Sequence, residues 1–331
     1  MKKVGIIKLF LPLDFSNEFK QSTGYNEETL LTAKMLQDMG SEITILSANN
    51  LSHTKKHVFD FAKTFKDGWI HDTNYNNFDE ILVFNSKNSI NENDDLNTQR
   101  LFYAEVSKYL YKLQQYTGNI TYVITDLFCV DNNFVKLADK VVSQSLINKP
   151  YATHYLPIEK LPIFLPSKQT SGMIDKVLYI GNYRPDRVHK FDDYFCKHMH
   201  VYGKGYKKKQ LEQLVSDVAP VNFTEIDSVM LKYKYALVIT DKLYSDNKFQ
   251  TPRYFECIRR GLVTFVDKTY ADACDFEVSS ELIVQNKYDL ETKLNSMTSN
   301  DVLRLRDKQY ELIESLKPKV RKQFETVFKY E

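Results

Sequence analysis

The sequence predicts an α/β protein of two domains, each a parallel sheet covered by helices. Three observations lead there. Its strand-like segments are continuous apolar runs, as in sheets buried on both faces, and not apolar/polar alternations. Segments with helical spacing lie between them. The pattern halts at a proline-rich stretch and then restarts, and 331 residues exceed what one common core supports.

Val4 to Ile7 is the first short apolar run. Glu27 to Met39 follows with Leu30, Leu31, Met35 and Leu36 at helical spacing, ending at Gly40. Ile43 to Leu46 reads as the second strand, and Ile81 to Phe84 as the next. A long helix is expected from about Asn97 to Tyr116, then strands Ile120 to Thr125 and Lys140 to Ser143. Between Lys149 and Ser171 stand Pro150, Pro157, Pro162 and Pro166, a composition that suits an interdomain linker better than an element interior. The second half restarts with Lys176 to Ile180, His200 to Tyr202, Tyr235 to Thr240 and Leu262 to Val266. The last helix is expected to break at Pro318, and Lys319 to Glu331 carries Val320, Phe324 and Val327 on one face that would lie back on the first domain. The expected domains are therefore residues 1–160 completed by 319–331, and residues 161–318.

With 45 Lys+Arg against 43 Asp+Glu the formal charge is +2, so any anion-binding face must be local. An apolar fraction of 43% with only 10 Gly and 9 Pro excludes a disordered or fibrous chain. Cys129, Cys196, Cys257 and Cys274 are widely spaced, and the N-terminus runs straight into a strand without a signal peptide, so a reduced cytoplasmic setting is expected. No run approaches the roughly 20 apolar residues of a membrane span, and no membrane partner is expected.

Ligands of open α/β sheets bind beyond the carboxyl ends of the strands. That rule selects "VITDLF" with Asp126, "LYIGNYRPDR" with Gly181, Arg184 and Arg187, and "DKLYSDNKFQTPRYFE", residues 241–256. In the last, Thr251 is a good N-cap and Pro252 a good first helical residue, so a helix carrying Arg253 and Glu256 should begin there. Such a terminus with Arg253 suits a diphosphate, while Glu256 could accept a pair of sugar hydroxyls. The plainer alternative is that Arg253 and Glu256, three apart, simply pair on a solvated face. Arg184, Asp186 and Arg187 also read as a surface turn, and a lone Asp126 as a cap.

Together these segments resemble the DNA β-glucosyltransferase-like family of T-even phages, which are glycosyltransferases of two Rossmann-like domains facing a cleft (GT-B). The likeness covers nearly the whole chain through "NEETLLTAKMLQDMG", "ILVFNS", "VITD", "KVVSQ", "LPIE", "LYIGNYRPDR" and "DKLYSDNKFQTPRYFE" in the family's order. By resemblance, Asp126 matches the catalytic base that takes the proton of a hydroxymethyl group as its oxygen attacks the sugar's anomeric carbon, with inversion. Glu28 matches a carboxylate near the transferred sugar; its ordinary alternative is a helix N-terminal carboxylate favouring the dipole. Arg184, Arg187 and Arg253 match diphosphate-binding arginines, Glu256 the ribose-binding glutamate, and Asp241 and Tyr244 positions in the same cleft. The spacing from Arg184 to Arg187 is one residue shorter than in the family, and Lys248 stands as an extra residue before Arg253.

The resemblance implies an inverting transfer from a UDP-sugar, glucose or a pentose such as arabinose, to 5-hydroxymethylcytosine in double-stranded phage DNA. It also implies a monomer in the host cytoplasm, and leaves open a divalent cation, Mg or Mn. The base would have to leave the stack to meet Asp126. Two alternatives stand: the same fold with a small-molecule, lipid or glycan acceptor, and a non-catalytic DNA- or nucleotide-binding protein. His198 and His200 lack a third ligand at metal spacing and read as surface or packing histidines. Lys204, Lys207, Lys208 and Lys209 read as a solvated turn. The polar loops 85–95 and 129–133 are candidates for acceptor contact.

Overall fold

The structure is a computed structural model. It describes residues 1–8, 27–47, 60–70, 72–85, 104, 107–108, 110–125, 130, 132–144, 150–167, 172–181, 183, 188–203, 205–206, 211, 213–221 and 225–328. The chain divides into two compact units, Met1–Leu161 with Val320–Glu331, and Pro162–Lys319.

The first unit is built on a seven-stranded, wholly parallel sheet of β1 (Lys3–Lys8), β2 (Glu42–Ser47), β3 (Lys66–Trp69), β4 (Glu80–Asn85), β5 (Asn119–Ile124), β6 (Lys140–Ser143) and β7 (His154–Tyr155), in the order β3-β2-β1-β4-β5-β6-β7. Ile81, Leu82, Val83 and Phe84 in β4 are all completely buried, so successive residues that point to opposite faces are equally covered. Helix α1 (Glu27–Asp38) buries Leu30, Leu31, Met35 and Leu36. It closes with Gly40 at φ +93°, where Ser41 N–H donates to Leu36 O and Gly40 N–H to Gln37 O. That double bond is the Schellman closure, and its left-handed residue favours glycine. Of the expected long helix before β5, the described residues 110–114 are helical; α2 (Asn132–Leu137) lies between β5 and β6.

Two expectations are corrected here. The proline-rich stretch, within which the two units divide at Leu161 and Pro162, is not free of elements: it holds β7 and a 3-10 helix, Ile158–Phe164, with Pro162 inside and Leu156, Ile158 and Leu161 fully buried. Nor does Pro318 end the last helix, which runs unbroken over Ser299–Val327. A proline forfeits one hydrogen bond to the carbonyl four residues back. The buried stripe Leu305, Gln309, Ile313, Leu316, Val320, Phe324 and Val327 continues through it and outweighs that loss. The far end of this helix belongs to the first unit, where Lys140 Nζ donates to Val327 O and lies 5.7 Å from the Phe328 ring centre.

The second unit has a six-stranded parallel sheet: β8 (Ile174–Ile180), β9 (Met199–Tyr202), β10 (Asp217–Ala219), β11 (Tyr233–Val238), β12 (Val263–Asp267) and β13 (Ile283–Val284), ordered β10-β9-β8-β11-β12-β13. Its helices are α3 (Val188–Tyr194), α4 (Ile226–Met230), α5 (Lys242–Asp246), α6 (Arg253–Arg259), α7 (Lys268–Ala273), α8 (Lys287–Ser296) and α9 (Ser299–Val327). Strand β13 reaches only Val266 and Asp267. Beyond it the buried Gln309 side chain of α9 takes the strand's place: its Oε1 accepts Thr264 N–H at 3.1 Å and its Nε2 donates to Thr264 O at 3.3 Å.

Candidate functional site

In the second sheet the chain winds outward from β8 in both directions, so the crevice of this unit opens at the carboxyl ends of β8 and β11. Gly181 ends β8 and donates its N–H to Tyr202 O at 3.0 Å. Gly203 ends β9, and a Cβ there would stand 1.9 Å from Gly181 O, so the two backbones need glycine to run this close. The Tyr183 and Tyr206 rings meet edge to face at 5.7 Å, and Phe191 of α3 lies against both.

From β11 the chain enters "DKLYSDNKFQTPRYFE" through Asp241, whose carbonyl accepts Tyr244 N–H and Ser245 N–H and so opens α5. After one turn Lys248 takes φ 51°, Phe249 N–H donates to Tyr244 O, and Lys248 N–H donates to Ser245 O. This is again the Schellman closure, and the residue that stands as an extra one in the sequence supplies its left-handed corner. The buried Gln250 donates through Nε2 to Ala273 O at 3.3 Å and Asp275 Oδ1 at 3.2 Å. Pro252 has helical angles and accepts Glu256 N–H, as a first-turn proline should. The expected side-chain cap by Thr251 is corrected: α6 starts without a side-chain cap hydrogen bond, and Thr251 instead lends its carbonyl to Tyr270 Oη at 3.2 Å.

On α6 Arg253 Nη1 lies 2.5 Å from Glu256 Oε2. The sequence alternative of a pair at i, i+3 is thus realised, but not on a solvated face: the Glu256 side chain is 8% exposed and that of Arg253 26%. One turn on, the completely buried Arg260 donates to Glu256 O at 2.9 Å and pairs with Asp227, which anchors the helix beneath the pair.

Sequence reasoning missed a buried ion pair at the same strand ends. Lys190 of α3 donates through Nζ to Asp267 Oδ2 at 2.5 Å, to Thr269 Oγ1 at 3.0 Å and to Thr240 O. Asp267 Oδ1 accepts Thr240 N–H at 3.2 Å and Tyr270 N–H at 2.9 Å. Burial pushes the Asp267 carboxyl above its ordinary range, against the pull of Lys190 and the two amides. Asp267 follows the apolar run of β12, so the strand-end rule applied there would have found it. Lys190, inside a helix, left no signal.

In the first unit the winding reverses between β1 and β4. Glu28, near the start of α1, is half-buried, and its carbonyl accepts Thr32 Oγ1 at 2.8 Å. Asp126, Arg184 and Arg187 lie outside the described residues, as do Lys204, Lys207 to Lys209, residues 86–95 of the first polar loop, and Cys129 and Asp131 of the second, whose Asn132 and Asn133 open α2. His200 Nδ1 lies 2.8 Å from Tyr233 Oη. Gly181, Asp241, Tyr244, Arg253 and Glu256 all fall in the second unit, carried by or just beyond the segments that follow β8 and β11.

Set against solved structures, the chain aligns over 99% of its length with all of the T4 phage BGT in complex with UDP and Mn2+, at TM-score 0.72 and 17% identity. The T4 phage BGT in complex with its UDP-glucose substrate aligns over the same shares of both chains, at TM-score 0.69 and 18% identity. The chain shares the fold of the T4 β-glucosyltransferase. In sequence, it is 25% identical over 333 aligned positions to the DNA beta-glucosyltransferase of Enterobacteria phage T4, covering 87% of this chain and 89% of that protein. No protein-family model matches. Among the described residues no three His, Cys, Asp or Glu side chains form a group able to hold a metal ion, and no helix is long and apolar enough to cross a membrane.

Proposed function

We propose that the protein is an inverting glycosyltransferase that moves a sugar from a UDP-sugar onto 5-hydroxymethylcytosine in double-stranded DNA. The observation that carries this reading is the placing of Asp241, Arg253 and Glu256 beyond the end of β11, next to the sheet's winding reversal, in a chain similar over 87% of its length to a DNA β-glucosyltransferase. UDP-glucose is the donor that the likeness supports first; a pentose donor such as UDP-arabinose would ask for only small changes in a sugar pocket.

The second unit holds the donor. Arg253, with Arg184 and Arg187, neutralises the diphosphate and stabilises the charge that grows on it as the glycosidic bond breaks. Glu256, oriented by Arg253 and by the carbonyl anchor of Arg260, accepts the ribose hydroxyls. The first unit brings the acceptor. A hydroxymethyl group is a poor nucleophile at neutral pH, so Asp126 removes its proton as the oxygen attacks the anomeric carbon, and the nucleotide leaves the duplex stack to reach it. Glu28 stands on the sugar side, and the protein works as a monomer. A divalent ion, where one takes part, would bind the diphosphate oxygens, with water completing its shell.

Asp126→Ala tests the assignment. Transfer to DNA is expected to vanish while UDP binding, measured by calorimetry, stays within about twofold of wild type, since the base acts on the acceptor alone. Normal turnover in that variant would contradict it.

A further inference from the structure

The stretch from Asp241 to Glu256 carries the proposed donor contacts, yet it is held in place largely by buried residues that lie outside it. Lys190 Nζ is buried and its three donor bonds go to Asp267 Oδ2, Thr269 Oγ1 and Thr240 O. Asp267 is completely buried and returns the bond through Thr240 N–H. Both backbone groups of the residue before Asp241 are therefore fixed by one ion pair. Asp267 Oδ1 also accepts Tyr270 N–H, and Tyr270, itself completely buried, reaches with Oη to Thr251 O, two residues before Arg253. Between these ends, α7 supplies Asp272 O to Lys248 Nζ at 2.6 Å and Ala273 O to Gln250 Nε2.

We propose that Lys190, Asp267 and Tyr270 are positioning residues for donor binding: a buried clamp that sets Asp241 at one end of the segment and Arg253 at the other. This rests on the donor reading of that segment. A bound diphosphate rewards donors placed within a fraction of an ångström, so an ordered segment binds without first losing its freedom. Lys190 also stands three residues after Arg187 in sequence, at the start of α3, so the same ammonium ties the helix that follows the first donor segment to the strand end that opens the second. A buried pair of this kind is a poor source of stability, because desolvation of both ions offsets their attraction. Its return here is the fixed geometry of Thr240.

The experiment measures UDP affinity by calorimetry for wild type, Lys190→Met, Tyr270→Phe and a control, Gln309→Leu. The control weakens the same unit at Thr264 of β12, through bonds other than those of the clamp. Tyr270→Phe removes a single hydroxyl and keeps the ring against Tyr254, so it folds even where Lys190→Met does not. The expected result is a loss of UDP affinity of about fivefold or more in the clamp variants, corresponding to one lost hydrogen bond. Gln309→Leu should bind as wild type despite a lower melting temperature, and DNA affinity should be unchanged throughout. Wild-type UDP affinity in folded Tyr270→Phe and Lys190→Met, or an equal loss in Gln309→Leu, would overturn the clamp alone. A wild-type protein that does not bind UDP would overturn the donor reading first, and the clamp with it.

Discussion

Phe249 donates its backbone N–H to Tyr244 O at 2.8 Å, and the two rings meet edge to face with centroids 5.0 Å apart. The hydrogen bond and the apolar contact together complete the closure of α5, and between them Lys248 bears φ 51°. The same closure ends α1 at Gly40 and α6 at Gly261, where glycine takes the corner without a Cβ penalty. Lys248→Gly is therefore expected to stabilise the protein by about 1 kcal/mol, read as a higher thermal midpoint. A lower midpoint would mean that the bond from Lys248 Nζ to Asp272 O outweighs the backbone cost.

Gln309 replaces a missing strand partner at Thr264, which is completely buried. Gln309→Leu keeps the apolar stripe of α9 but strands one amide and one carbonyl. A loss of about 2 kcal/mol is expected in denaturant unfolding, with an unchanged slope. A neutral outcome would show that β13 can lengthen to pair with Thr264.

His200 gives a pH dependence whose sign is fixed by its surroundings. Burial holds its imidazole below the ordinary value, with Lys176 pulling the same way and Asp217 opposing. The folded state thus keeps the ring neutral, with Nδ1 against Tyr233 Oη. The unfolded chain binds the proton at about pH 6.5. The stability His200 contributes is present above that pH and is lost as pH falls through the lower folded value. His154, also lowered by burial, acts in the same direction. His200→Phe should reduce the fall in melting temperature between about pH 7 and pH 5; an unaltered profile would contradict this.

The buried Glu256 carboxylate serves the proposed ribose contact and the pair with Arg253 at once. Glu256→Gln keeps the shape, lowers the charge, and is expected to weaken UDP binding by about tenfold with little effect on DNA affinity. Unchanged UDP affinity would leave the pair as a purely structural link within α6.

The strands legible in the sequence were those with apolar runs: β1, β2, β4, β5, β6, β8, β9, β11 and β12. The missed ones are β3 with "KDGW", β10 with "DVA", and the two-residue β7 and β13. These are short strands in the outer part of each sheet, defined by a neighbour's backbone more than by their own side chains. Pro318 misled because local propensity was read without the stripe that carries α9 through it. At the site, the strand-end rule led to Gly181 and Asp241, which follow β8 and β11. It does not reveal how they are held, since Lys190 works from inside a helix and a lysine there ordinarily reads as surface.

The central claim is transfer of a sugar to a hydroxymethylated base in DNA, and the most direct measurement is the mass of that base. Duplex DNA containing 5-hydroxymethylcytosine is incubated with the protein and either UDP-glucose or UDP-arabinose, then digested, and its nucleosides are weighed. The expected result is a hexose or pentose increment on 5-hydroxymethylcytosine alone, with the productive donor naming the sugar. No increment with either donor, from a protein that binds UDP, would contradict the DNA acceptor.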